Sequence, residues 1–233
     1  MQLFYAPEIN QKSYTLTPEE SRHIVRVLRL KEDSPIFLTD GKGNFYEAKV
    51  AEPDARKCKV NIIRKTGEYG KRKIFIHIAI APTKNIKRFE WFLEKSTEIG
   101  VDEITPIICE HSERKHLRLD RLNNILIAAM KQAVKAYLPT IRELVKFEDF
   151  IKQPQDGIKT IAVCDNQSKP HLSKACVGYD RITILIGPEG DFSASEIESA
   201  LSRGFKSVSL GSARLRTETA GIVACHIANL VNE

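Results

Sequence analysis

Cysteine is scarce and scattered along this chain. Cys58, Cys109, Cys164, Cys176 and Cys225 are odd in number, widely spaced and form no C-x-x-C pair. That pattern excludes a zinc ribbon and a disulfide framework. Three of the five sit within apolar stretches, as in Ala162-Val163-Cys164, and read as small core residues. His111 and His116 are five residues apart, which puts them on different faces of a helix, so no metal site is expected. No apolar run approaches the ~18 residues of a membrane helix. The opening Met1-Gln2-Leu3-Phe4-Tyr5 lacks the basic and apolar blocks of a signal peptide. The expectation is a cytoplasmic protein without membrane contacts.

The common nucleotide and hydrolase signatures are missing too. The first strand of the second half leaves into Ala81-Pro82-Thr83-Lys84, with no G-x-G-x-x-G of a dinucleotide fold or of an ordinary Rossmann methyltransferase. No G-x-x-x-x-G-K-[ST] and no G-x-S-x-G occurs anywhere, which argues against a P-loop nucleotidase and an α/β-hydrolase. With 42% hydrophobic and 28% charged residues, 12 Gly and 10 Pro in 233, disorder and fibrous repeats are excluded as well. What remains is a globular chain long enough for one large domain or two modest ones.

The charge is unevenly distributed. Residues 1–73 hold 15 Lys/Arg against 10 Asp/Glu, a net of +5, while residues 74–233 hold 21 against 20. A polyanion-binding module joined to a near-neutral domain would give this asymmetry. Charge alone leaves a merely solvated basic face equally open.

The first third reads as a small β-rich unit with one helix. Thr17-Pro18-Glu19-Glu20 is a helix start with a Thr cap, Pro in the first turn and a capping-box Glu. The helix is expected to run to about Leu30, with Arg22, Arg26 and Arg29 forming one cationic stripe. Strands follow at 36–39, 45–50 and 59–64, the first two joined by Asp40-Gly41-Lys42-Gly43-Asn44. The Gly-bearing, charged segment 65–71 is the boundary candidate. Beyond it, near-continuous apolar strands at 74–80, 104–109, 160–164, 182–186 and 207–210 alternate with helices at 85–99, 119–137, after Ser193, and 217–231. This alternation predicts a parallel sheet covered on both faces.

Ligands of such sheets bind beyond the carboxyl ends of the strands. Two late strand exits are unusual: Ile186-Gly187-Pro188-Glu189-Gly190-Asp191-Phe192-Ser193, and Leu210-Gly211-Ser212-Ala213-Arg214-Leu215-Arg216-Thr217-Glu218-Thr219-Ala220. Glycines allow close backbone approach, and each following helix start offers unpaired N–H groups. Either loop alone reads better as a tight turn, with Glu218 favouring its helix dipole. Two at consecutive strand ends point to a ligand.

Together these loops resemble the SPOUT class of S-adenosylmethionine-dependent RNA methyltransferases. Within it, the chain is similar to the ribosomal small-subunit methyltransferase E family, which methylates N3 of a uridine in 16S rRNA. Supporting matches are His23–Leu30, the turn at Asp40–Gly43, Glu94–Val101, Ser112–Arg114 and Gln132–Pro139. The long helix departs from the family pattern at Lys131 and Lys135, and Asp191 stands where the family usually has glycine. The resemblance implies an α/β fold: a PUA-like RNA-binding β-barrel over residues 1–71, and a SPOUT domain over 72–233 that ends in a trefoil knot. It also implies a homodimer acting on 16S rRNA or the small ribosomal subunit, with S-adenosylmethionine as methyl donor and no metal. The cofactor residues it suggests are Gly187, Pro188, Glu189, Gly190, Leu210, Gly211, Leu215, Thr217 and Ala220. Arg22, Arg26, Arg29 and Arg88 become candidates for RNA contact, with Arg216 and Glu218 for the chemistry. Two other readings compete: a SPOUT enzyme modifying another RNA position, and a catalytically silent RNA-binding assembly factor.

Overall fold

The computed structural model describes residues 2–9, 12–164 and 168–233. The chain divides into two compact units, one of residues 1–71 and 127–138, the other of 72–126 and 139–233. Relative to the division expected from sequence, the segment 127–138 belongs with the first unit. Its Ala136 is buried in a cluster with Leu3 and Phe45, against which Val134 also packs.

In the first unit a five-stranded sheet runs in the order β1 (Leu3–Tyr5), β3 (Pro35–Thr39), β4 (Phe45–Glu52), β5 (Lys59–Thr66), β2 (Ser13–Thr15). β1 pairs parallel with β3, and the other pairings are antiparallel. The end strands β1 and β2 do not pair among the described residues, so the sheet is curled and open between them. Phe4, Leu16, Ile24, Leu38, Val50 and Val60 form its core. The β3–β4 turn depends on its glycines: at Gly43, with φ 95°, an added Cβ would fall 2.4 Å from the Tyr137 ring. Asp40 holds the same turn by accepting hydrogen bonds from the Lys42 and Asn44 amides at 2.8 and 3.2 Å.

Helix α1 (Pro18–Arg22) starts as expected, with Thr17 Oγ1 accepting the Glu20 amide. The capping box is not completed. The Glu20 carboxylate is buried and accepts instead from the Tyr5 amide and from Lys131 Nζ at 2.5 Å. The helix widens to a π-helical turn over His23–Val27, and Arg29 lies beyond its end at φ 54°. The regular stripe expected of Arg22, Arg26 and Arg29 is therefore broken at Arg29. All three are nonetheless exposed.

The second unit carries a parallel sheet in the order β12 (Lys206–Val208), β10 (Ile158–Ala162), β11 (Arg181–Ile186), β6 (Phe75–Ile80), β7 (Glu103–Ile108), β8 (Thr140–Ile141), with β9 (Val145–Lys146) also on β7. β6 is buried almost throughout, as its continuous apolar sequence predicts. Ala79 and Ala81 face one cluster with Phe147 and Phe150 of α4 (Phe147–Lys152) and Ala200 of α6 (Ala194–Ser202). The opposite face receives α2 (Ile86–Ile99) and α7 (Thr217–Leu230). Gly221 of α7 sits so close that a Cβ would meet Phe92 at 2.7 Å and Ile80 at 2.9 Å. Arg72 ties α2 to α7 by donating to the Gly100 carbonyl, Asn229 Oδ1 and Asp102 Oδ2.

Helix α3 (Leu119–Gln132) stops short of the Tyr137 expected. The Lys135 amide bonds Met130 O and the Val134 amide bonds Lys131 O, with Val134 at φ 54°. This is a Schellman ending with a valine where glycine is usual, which hides it from sequence. The short elements β1, β2, β8, β9, α4 and α5 (Leu172–Ala175) were also not anticipated. No helix among the described residues is long and apolar enough to cross a membrane.

Candidate functional site

The carboxyl ends of the second unit's strands are joined by side chains that accept backbone N–H groups. Glu189 Oε1 takes the Lys84 amide at 2.9 Å, linking the exits of β11 and β6. Asp191 takes the Phe192 amide on Oδ1 at 2.8 Å and the Cys164 amide on Oδ2 at 3.1 Å, linking β11 to β10. Glu196 completes the capping box of α6 with Ser193 and takes the Glu110 amide at 2.8 Å, linking β7. Arg114 supplies the opposite sense, donating to the carbonyls of Thr83 and Lys84 at 3.0 and 2.6 Å. A carboxylate accepts several N–H groups that exposed loop ends would otherwise give to water, and charged acceptors make the stronger bonds.

Within this frame lies a cavity of about 310 Å³. From β11 it takes Ile186, Gly187, Pro188, Glu189 and Asp191. Ser209, Leu210 and Gly211 line it after β12, followed by Ala213, Arg214 and Leu215. Thr217 and Ala220 come from the first turn of α7, and Ala162, Val163 and Cys164 from the exit of β10. The two loops singled out in the sequence thus converge. Eight of the nine expected cofactor residues line this cavity. Gly190 does not: a Cβ there would meet His111 at 3.0 Å, so the glycine permits a close approach of that side chain. His111 in turn donates from Nδ1 to the Asp191 carbonyl at 3.0 Å, a bond that raises its pKa.

Several lining residues escaped the sequence reading. Ala162–Cys164 look like an ordinary strand end, and Cys164, expected in the core, is exposed. The other four cysteines are buried. Among the described residues no cluster of His, Cys, Asp or Glu is suited to a metal.

The two residues expected to serve chemistry lie off the cavity wall. Arg216 is exposed, with extended backbone, at the N-cap of α7. Glu218 is buried in the first turn of α7, with Oε1 3.8 Å from Nε of Arg88 on α2. Its Oε2 is buried without a hydrogen-bond partner among the described residues. Arg88, expected to contact RNA, is therefore engaged with Glu218 and only half-exposed.

A larger cavity of about 570 Å³ opens at the other, amino end of the sheet. Most of its charged groups are already matched. Arg142 donates twice to Glu103 at 2.9 and 3.0 Å, Arg181 lies 3.6 Å from Asp156, and His77 Nε2 lies 2.8 Å from Thr105 Oγ1. With these pairs closed among themselves, it offers a ligand fewer free charges than its size suggests.

Comparison with known proteins bears on both units. Residues 70–229 match the family model of an RNA methyltransferase domain, and residues 16–63 that of an RNA methyltransferase PUA domain. The structure is similar to that of a probable rRNA-methyltransferase from Porphyromonas gingivalis, with a TM-score of 0.92 and 44% identity over 100% of this chain and 98% of that one. It is also similar to a ribosomal RNA small subunit methyltransferase E from Neisseria gonorrhoeae bound to S-adenosyl methionine. There the TM-score is 0.87 and identity 28%, over 97% of this chain and 95% of that one. A curated ribosomal RNA small subunit methyltransferase E from Mesomycoplasma hyopneumoniae is 28% identical over 95% of this chain and 96% of its own. With a domain match that takes in the whole parallel sheet and both convergent loops, the chain belongs to the RNA methyltransferase family.

Proposed function

We propose that the protein transfers a methyl group from S-adenosylmethionine to N3 of a uridine in 16S rRNA, working as a homodimer. The observation that carries this is the convergence of Gly187–Glu189 and Leu210–Leu215 on one cavity in a chain of this family. The residues present fit such a donor. Gly211, where a Cβ would meet nothing within 4 Å, leaves its main chain open to close approach, and Val163, Ile186, Leu210 and Leu215 supply apolar flanks for a flat ring. When bound, the donor supplies an electrophilic methyl carbon, and displacement forms the N3–C bond as the S–C bond breaks.

The chain's own part is positioning and electrostatics. Uracil N3 carries a proton that must leave, so a base or a cation near the uracil oxygens is needed. Glu218 is our candidate base, its unpaired Oε2 being an acceptor in want of a proton donor. Arg216, next in sequence to the cavity-lining Leu215 and Thr217, is the candidate cation. The target edge is the pairing edge of the base, so the uridine has to be unpaired or flipped out. The basic first unit, with Arg22, Arg26 and Arg29 exposed, would hold the RNA by its phosphates. Exposed Trp91 on α2 and Leu230 on α7 suit burial against a second copy. The knot belongs to the same proposal, with α7 returning from β12 at the sheet edge to pack on α2 and β6.

Primer extension on small-subunit rRNA tests the reaction, because an N3-methyl blocks pairing. A stop present in cells with the gene and absent without it is expected. Calorimetry in the presence of chelator tests the donor. No binding of S-adenosylmethionine there would overturn the proposal.

A further inference from the structure

Asp191 has a backbone that most side chains avoid. Its φ is 61°, in the left-handed region that glycine, asparagine and aspartate tolerate best. Both carboxylate oxygens are held in place, Oδ1 by the Phe192 amide at 2.8 Å and Oδ2 by the Cys164 amide at 3.1 Å. The carboxylate is thus fixed between the exits of β10 and β11 while it lines the cavity. Glu189, on the same wall, is likewise anchored, through the Lys84 amide. The third charged lining residue, Arg214, is exposed and has no ion pair among the described residues. The charges that the fold immobilises here are therefore negative.

We infer that Asp191 is a specificity determinant that makes the cavity prefer a cationic ligand, favouring the sulfonium donor over the neutral thioether left after transfer. This rests on the methyl-donor reading above. Donor and product share their adenosine and amino-acid parts, so interactions with those parts cannot tell them apart. A fixed carboxylate can, because the formal charge on sulfur is the main difference between them. Product would leave more readily than donor, without any change of shape. An aspartate suits the position better than a long acid does, since its short side chain reaches both neighbouring amides and loses little freedom.

The test is calorimetry of the intact protein with three probes: S-adenosylmethionine, S-adenosylhomocysteine, and sinefungin, an unreactive analogue with an amine in place of the sulfonium methyl. Wild type is expected to bind the two cationic probes more tightly than the thioether. Asp191→Asn keeps the size, one acceptor and tolerance of the left-handed backbone, and it should shrink that preference by about tenfold. The preference should also narrow with added salt in wild type and not in the variant. Asp191→Gly, which suits the φ and removes both bonds, should likewise abolish the preference while the melting temperature reports any loosening of the loops. If all three probes weaken by the same factor in Asp191→Asn, the residue only braces the loops and the inference is overturned. An unchanged ratio overturns it too. Should wild type bind none of the probes, the methyl-donor reading itself fails, an outcome distinct from the other two.

Discussion

At the residue scale, the two carboxylate oxygens of Glu218 sit in different settings. A carboxylate in the first turn of a helix is favoured by the dipole, and Arg88 at 3.8 Å adds an opposite charge. Both would be met by one oxygen facing Arg88. The other oxygen is buried without a partner, and leaving a charged acceptor so costs on the order of 1–3 kcal/mol or more. A group retained at that cost suits a role in proton transfer. Glu218→Gln is expected to bind donor and RNA nearly as wild type does. If Glu218 is the base of the proposed reaction, the variant's single-turnover rate should fall ~10²-fold or more, a deficit that shrinks as pH rises and hydroxide takes over removal of the proton. Rate against pH at saturating ligands is the measurement. Parallel profiles, with melting temperature and donor affinity falling together, would assign Glu218 to structure alone. Arg216→Lys should also cost rate, since lysine keeps the charge without the planar fork.

At the scale of elements, β6 shows what its own sequence can and cannot reveal. The run Phe75-Ile76-His77-Ile78-Ala79-Ile80 is apolar enough to be read as a buried parallel strand, and it is one. The environment of His77 is not legible there, because its neighbours come from distant segments: Thr105 and Glu103 on β7, the Phe150 ring, Gln155, Arg142 and Arg181. Burial is the main cause of its lowered pKa, with Arg142 and Arg181 adding to it and Glu103 and Gln155 opposing. The unfolded chain therefore takes up this proton first as pH falls. Stability tied to His77 is full above the ordinary imidazole range near 6.5 and declines from there down to the folded-state value. Melting temperature should drop less between pH 7.5 and 5 in His77→Gln than in wild type, and equal slopes would show that His77 titrates alike in both states. The same contrast runs through the fold. Caps at Thr17 and Ser193 are local chemistry and were readable. The π-turn after Arg22, the Val134 helix end and the short strands β8 and β9 answer to packing with remote residues and were not. In the site, glycines announced the two loops, whereas Ala162–Cys164 joined the cavity only through the sheet order that sets β10 beside β11 and β12.

At the scale of the whole molecule, the charge asymmetry survives the redrawn boundary. The first unit, 1–71 with 127–138, holds 15 Lys/Arg against 10 Asp/Glu, and the second 21 against 20. Part of the first unit's positive charge is spoken for by its own acids, as in Lys131 with Glu20, Lys59 with Glu52 and Arg64 with Glu47. Arg22, Arg26 and Arg29 have no such partners among the described residues, and Val27 beside them is 67% exposed. Exposed, uncompensated arginines around an apolar tip are suited to phosphates and a base face. If this patch holds RNA, replacing all three with glutamate should weaken binding and reduce the dependence of log affinity on log salt, by roughly one for each phosphate no longer neutralised. Donor affinity, measured by calorimetry on the same variant, should not change, because the cavity belongs to the other unit. The triple variant should also fold, since none of the three side chains is buried. Retention of RNA affinity with the wild-type salt slope would mean that the excess charge serves solubility, and that RNA is held elsewhere on the chain.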